Sequence, residues 1–195
     1  YLFSGFSTMI FGGLIPQLSI LITAPKNSER RRRATNPKHL SFFLFYWFYK
    51  GLELDAFYRL QTVMFGDSPN FATIIKKVVM DQFVYNIVWG NSSLAVALKW
   101  ETEKFDFAKT FKLVKEPAFR YIELPSMMLS AWMIWIPAVS VIYSLPDDLQ
   151  MPISNCILVF FCIVTQSITK REEGKGVGED EAKKSLRLSG GGDKE

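Results

Sequence analysis

Two groups of polar residues interrupt otherwise apolar stretches of this chain, and they are the residues best placed for chemistry. The first is Lys50, Glu53, Asp55 and Arg59, within the segment Leu40–Phe65. Lys50 and Glu53 stand at i,i+3 and Asp55 and Arg59 at i,i+4, so each cation can pair within its own helix. The second is Asp81, Gln82, Asn86, Asn91, Ser92 and Ser93, within Phe71–Leu98. Here Gln82, Asn86, Gly90, Ser93 and Ala97 follow i, i+4, i+8, i+11 and i+15, which is one α-helical face of small and polar side chains. A polar group at membrane depth is costly and needs a partner or a solute. The four charges read either as a polar wall of a solute pathway or as interfacial groups on a helix that leaves the bilayer early. The second group reads either as a pore-lining stripe or as a helix–helix contact, where small residues let backbones approach and amides bond across. The contact is the commoner use of such a face. Asp81 follows Lys77 by four residues near the interface. It reads as a paired, anchoring charge more readily than as a proton relay.

Chemistry of other kinds finds no support in the residues. No nucleophile–base pair, phosphate loop, metal cluster or nucleotide fingerprint occurs, so neither catalysis nor a cofactor nor a metal is expected. Gly174, Gly176 and Gly178 follow no strand and read as linker. The lone His39 has no ligand partners at metal spacing and reads as a solvated loop residue. Cys156 and Cys162 fall on different faces of a helix, which disfavours a disulfide. The net charge of +4 could suggest nucleic acid, but the charges are segregated between apolar runs. That is the pattern of loops flanking membrane spans.

The elements that must position these residues are long and apolar. The clearest are Leu124–Leu145 and Met151–Thr169, which hold no charged residue and are separated by a short Pro-Asp-Asp turn. A bilayer core of roughly 30 Å needs about 20 mostly apolar residues to cross it, so the two runs read as a helical hairpin in a membrane. Three further apolar segments precede them: Leu2–Ala24, Leu40–Phe65 and Phe71–Leu98. Ser68 is the expected cap of the last of these, with Pro69 at its first helical position. Thr8 and Gly12, with Gly5 before them, form a small-residue packing signal. Pro16, Pro137 and Pro146 are expected breaks or kinks. Between the third and fourth segments, Phe105, Ala108, Phe111, Lys112 and Val114 form a loose stripe that suggests an interfacial helix.

Lysine and arginine, counted by connection, run 6, 2, 6, 0 and 7. Five spans would give that alternation, with the Arg30–Arg33 loop and the C-terminus both cytoplasmic. The aromatic content of 15% suits lipid-facing and interfacial surfaces. Residues 170–195 have almost nothing to bury and are expected to be a disordered charged tail. Tyr1 opens an apolar run without a cationic region before it, so further sequence is expected upstream.

These residues resemble a family. Lys77-Val-Val-Met-Asp81-Gln82 is similar to the K-x-x-x-D-Q block of the Mpv-seventeen and peroxisomal membrane protein family. Trp-Tyr-x-x-Leu-Asp/Glu of that family resembles Phe48-Tyr49-Lys50-Gly51-Leu52-Glu53. Its Trp-Pro block resembles Trp135-Ile-Pro137-Ala-Val, and Gly12, Gly13 and Gln17 sit where it has a Gly-Asp-x-x-x-Gln segment. The wording Tyr58-Arg-Leu-Gln61 and Tyr143-Ser-Leu-Pro146 looks most like bacterial relatives. The family's Gln after Trp-Pro falls near Ser140, and its Asn-Phe near Ile142-Tyr143. The resemblance implies a small integral membrane protein linked to non-selective solute conduction.

The expectation is therefore an all-α polytopic bundle of about five spanning or part-spanning helices over residues 1–169. Its expected role is to form or gate a pathway for small solutes, without catalysis. A structural or lipid-organising protein, acting as an adaptor through its basic loops, is the alternative. Membrane lipids and small solutes are the expected partners, with homo-oligomers allowed and nucleic acid not expected. A bacterial inner membrane is the first expectation for location, and a mitochondrial inner or peroxisomal membrane the second.

Overall fold

The computed structural model describes residues 1–164, and every regular element among them is a helix. Seven helices follow in order. They are α1 (Leu2–Thr23), α2 (Glu29–Thr35), α3 (Pro37–Phe65), α4 (residues 71–102), α5 (Phe107–Lys115), α6 (Phe119–Ile142) and α7 (Asp147–Val164). The charged tail expected over 170–195 lies outside the described residues. Three of the seven, α1, α6 and α7, are long and apolar enough to cross a membrane. The others long enough, α3 and α4, carry the polar residues singled out above, which takes them below the apolarity of a simple span. Length and composition alone therefore support three spans, not the five expected.

The helix starts follow local chemistry. Asn36 Oδ1 accepts from Lys38 N at 3.0 Å, with Pro37 in the first turn of α3. Asn70 Oδ1 accepts from Thr73 N at 2.9 Å to start α4. Ser68, the expected cap, instead accepts from Asn70 Nδ2 at 3.0 Å. Both residues are good caps, and Asn70 takes the role because helical geometry begins at Phe71, beyond Pro69. Asp106 caps α5 through Lys109 N at 3.0 Å.

Packing begins with α1 lying along α3. A Cβ at Gly51 would meet the Ser4 carbonyl of α1 and, at 2.8 Å, Thr8 Cβ. A Cβ at Gly12 would stand 2.7 Å from the Trp47 ring and 2.9 Å from Leu158. The small residues of α1 are thus a close helix contact, as their spacing predicted. Polar bonds extend it to α7, where Thr8 Oγ1 donates to Asn155 Oδ1 at 2.9 Å. The buried core joins Phe57 and Tyr58 of α3, Val78 of α4, Val139 and Ile142 of α6, and Tyr143 and Met151 beyond.

Of the expected proline breaks, Pro137 lies inside continuous α6. Pro16 follows a π-helical turn at Met9–Leu14, and Pro146 lies in the α6–α7 turn. His39 is not a solvated loop residue. It is buried in the first turns of α3, with Nδ1 2.5 Å from Glu101 Oε1 at the end of α4. Phe42, Trp100 and Phe105 pack edge-on beside this pair. Phe105 lies in the turn before α5 with φ of 64°, so it leaves the predicted stripe. Phe107 and Phe111 of α5 remain exposed, as an interfacial helix requires.

Candidate functional site

A cavity of about 540 Å³ opens between α3, α4, α6 and α7. One wall is polar, with Lys50 and Tyr58 from α3 and Asp81, Gln82, Tyr85 and Asn86 from α4. Ser154 and Asn155 of α7 continue it. The facing wall is apolar and includes Met127, Ile134, Trp135 and Val139 of α6 and Leu158 of α7.

The Lys50–Glu53 pair forms as the spacing predicted. Lys50 Nζ donates to Glu53 Oε1 at 3.0 Å, and the two side chains are only 8% and 13% exposed. Tyr85 OH donates to the same oxygen from α4. The Tyr85 ring stacks on Phe57 with centroids 4.1 Å apart, which fixes the phenol beside the pair. These charges are shielded within the helix cluster rather than spread on an outer face.

Asp55 and Arg59 also pair, Nε to Oδ1 at 2.7 Å, but elsewhere. Ser4 of α1 donates to Asp55 Oδ2 at 2.6 Å, and the Arg59 side chain is 63% exposed. Neither residue lines the cavity. The four charges of α3 are therefore two separate pairs, one turned to the cavity and one to α1.

Asp81 departs from expectation. No ion pair joins it to Lys77 or to any other described cation. Its carboxylate instead accepts from three neutral donors. Tyr143 OH reaches Oδ2 at 2.5 Å, and Gln82 Nε2 and Asn86 Nδ2 each reach Oδ1 at 3.2 Å. Gln61 Nε2 donates to the same Tyr143 hydroxyl at 2.7 Å. Lys77 turns to Thr62 Oγ1 at 3.3 Å and lies 5.8 Å from the centre of the Tyr143 ring. The physical reason is the company each side chain keeps: Lys77 is drawn to Thr62 and the Tyr143 ring, while Tyr143, Gln82 and Asn86 occupy the Asp81 carboxylate. From Met80 the helix widens into an eleven-residue π segment that ends at Gly90. Its i→i+5 bonds put nearly an extra residue in each turn beyond Asp81.

The same widening divides the predicted stripe. Gln82, Asn86 and Gly90 line the cavity, but Ser93 does not, and Asn91 takes its place. The Asn86 amide meets Asp81 across an i,i+5 spacing, and Ser92 Oγ donates back to the Ile87 carbonyl at 2.5 Å, also over five residues. Ser93 Oγ bonds locally to the Gly90 carbonyl at 3.1 Å. Trp132 of α6 donates to the Gln82 carbonyl at 3.1 Å and so anchors the wide segment against the apolar wall.

Several polar residues at or beside the cavity were not singled out as site residues in the sequence, among them Tyr46, Tyr58, Tyr85, Ser130, Tyr143, Ser154 and Asn155. Tyr58 OH donates to Ser154 Oγ at 3.3 Å, and Asn155 Nδ2 to Ser7 Oγ at 2.8 Å. Ser154 and Asn155 did carry a signal, since polar residues inside an apolar run need a partner. Among the described residues no cluster of His, Cys, Asp and Glu is arranged to hold a metal. Cys156 and Cys162 are free thiols.

Compared with family models, with curated proteins and with solved structures, the chain matches none of them.

Proposed function

We propose that this chain is an integral membrane protein that forms or gates a pathway for small solutes. The observation that carries the reading is the two-walled cavity between α3, α4, α6 and α7. A solute that leaves water must exchange its hydration for protein groups. The wall of Lys50, Asp81, Gln82, Tyr85 and Asn86 offers both donors and acceptors for that exchange. The Met127–Val139 side offers apolar contact.

In this reading α3 and α4 cross the bilayer, wholly or in part, along with α1, α6 and α7. The alternation 6, 2, 6, 0, 7 of lysine and arginine supports that topology, with the Arg30–Arg33 loop and the C-terminus on the cytoplasmic side. Membership of the Mpv-seventeen and peroxisomal membrane protein family is part of the proposal. It rests on the K-x-x-x-D-Q block, whose Asp81 and Gln82 both line the cavity. A bacterial inner membrane fits the Tyr58–Gln61 and Tyr143–Pro146 wording, ahead of a mitochondrial inner or peroxisomal one. The protein acts without catalysis, alone or as a homo-oligomer in lipid.

A second reading has its own observation. The contacts at Gly5, Gly12 and Gly51 serve packing alone, as a structural or lipid-organising protein would need. Purified protein in a planar bilayer separates the two. Unitary conductance steps are expected. A silent bilayer, with protein shown to be inserted and folded, removes the pathway and leaves the structural role.

A further inference from the structure

The cavity is not neutral in its demands. Gln82 is 1% exposed, lines the cavity, and leaves Oε1 without a hydrogen-bond partner. Both neighbouring amides turn their NH₂ groups to Asp81, so their carbonyl oxygens face elsewhere. Asp81, 4% exposed, has hydrogen-bond donors but no cation within ion-pair distance among the described residues. The charge of Lys50, the cation in the lining, is engaged by Glu53, whose Oε2 is itself buried and unpartnered. The Tyr46 hydroxyl, also in the lining and without a hydrogen-bond partner, can either donate or accept. The demands left for a ligand are thus a donor to Gln82 Oε1 and a positive charge beside Asp81.

The remaining lining narrows the class. Tyr46, Trp47, Trp135 and Phe161 are in the lining, and aromatic rings can both attract a cation and cover an apolar body. A bare metal ion would find too few oxygen ligands beside so much apolar surface. An anion would face Asp81 and the free Gln82 carbonyl. A cavity of about 540 Å³ is the size of a small-molecule site.

We infer that the cavity is a site for a small organic cation, an ammonium group carrying N–H donors on an apolar or aromatic body. The ammonium sits between Asp81 and Gln82 Oε1, and the body lies against the α6 wall. The inference names a solute class for the pathway proposed above and rests on that reading for the cavity's purpose.

The test uses the full chain purified in a mild detergent, with equilibrium dialysis against radiolabelled tryptamine and indole-3-acetate. The two probes share a ring and differ in the sign of their charge. Tryptamine is expected to bind one per chain, and indole-3-acetate at least about tenfold more weakly. Asp81→Asn and Gln82→Leu should each weaken tryptamine by about tenfold or more. Lys109→Gln, on exposed α5, should change nothing. Equal binding of the two probes, or undiminished tryptamine binding by folded Gln82→Leu, overturns the site. Should Asp81→Asn fail to fold, Gln82→Leu and the amine–carboxylate comparison still decide. Planar-bilayer conductance is read on the same preparation. Conductance without amine-selective binding removes this site and leaves the pathway, and binding without conductance does the reverse.

Discussion

Removing one member of the Lys50–Glu53 pair should harm the protein more than removing both. At 3.0 Å, with an effective dielectric of about 20, the attraction is roughly 5 kcal/mol. Desolvation of two groups that are 8% and 13% exposed offsets much of it. The net value of the intact pair is therefore small, while either charge left alone keeps its desolvation cost. Breaking a buried pair costs about 3–5 kcal/mol, whereas replacing it by apolar groups of similar volume is often close to neutral. Lys50→Met should thus lower the melting temperature in detergent on the order of 10 °C, and Glu53→Leu by a similar amount, since Tyr85 OH also loses its acceptor. The Lys50→Met/Glu53→Leu double variant should recover at least half of the loss. The assay is thermal unfolding of the four proteins under one detergent condition, read as a double-mutant cycle. Additive losses would refute the reasoning. Two small losses, each within about 1 kcal/mol, would mean that both charges are in water.

Three further outcomes follow from the same geometry. Gly51→Ala should destabilise by about 1–3 kcal/mol, because its methyl group meets the Ser4 carbonyl backbone. Gly13→Ala, which meets the movable end of Leu44 at 3.3 Å, should fall within about 1 kcal/mol of wild type in the same melting assay. In unitary conductance, Asn86→Leu should narrow the pathway and Ser93→Leu should leave conductance per folded molecule unchanged; equal effects would restore a plain α-helical register. With Cys156 and Cys162 replaced, cysteines at Ser28 and Asp147 should label from opposite sides of the membrane, and labelling from one side would exclude five spans.

The parts of the fold legible in the sequence are those governed by local chemistry. The α6–α7 hairpin followed from uninterrupted apolar runs. The Lys50–Glu53 and Asp55–Arg59 pairs followed from i,i+3 and i,i+4 geometry, which α3 keeps from end to end. What was not legible depends on partners far along the chain. His39 meets Glu101 across 62 residues, and Thr8 meets Asn155 across 147. No spacing rule reaches that distance. Asp81 belongs with these: its spacing from Lys77 suits a pair, but Tyr143 reaches it across 62 residues and Lys77 turns to Thr62 across 15.

The polar face of α4 posed a choice between packing and pathway, and its glycine carries the argument further. Small residues signal packing when a partner helix occupies the space that a side chain would take. Gly51 and Gly12 meet that condition, since the atoms crowding them belong to α1, α3 and α7. Gly90 does not. The atoms closest to a Cβ placed there are Asn86 Oδ1 and, at 3.1 Å, Tyr85 Cε1, both on α4 itself. Its missing side chain makes room for Asn86 rather than for another helix. With that room, Asn86 can turn its amide to Asp81 and hold the carboxylate at the cavity wall. One class of residue thus does two jobs in this chain. On α1 and α3 it closes helices together, and on α4 it positions a polar group beside a space that remains open.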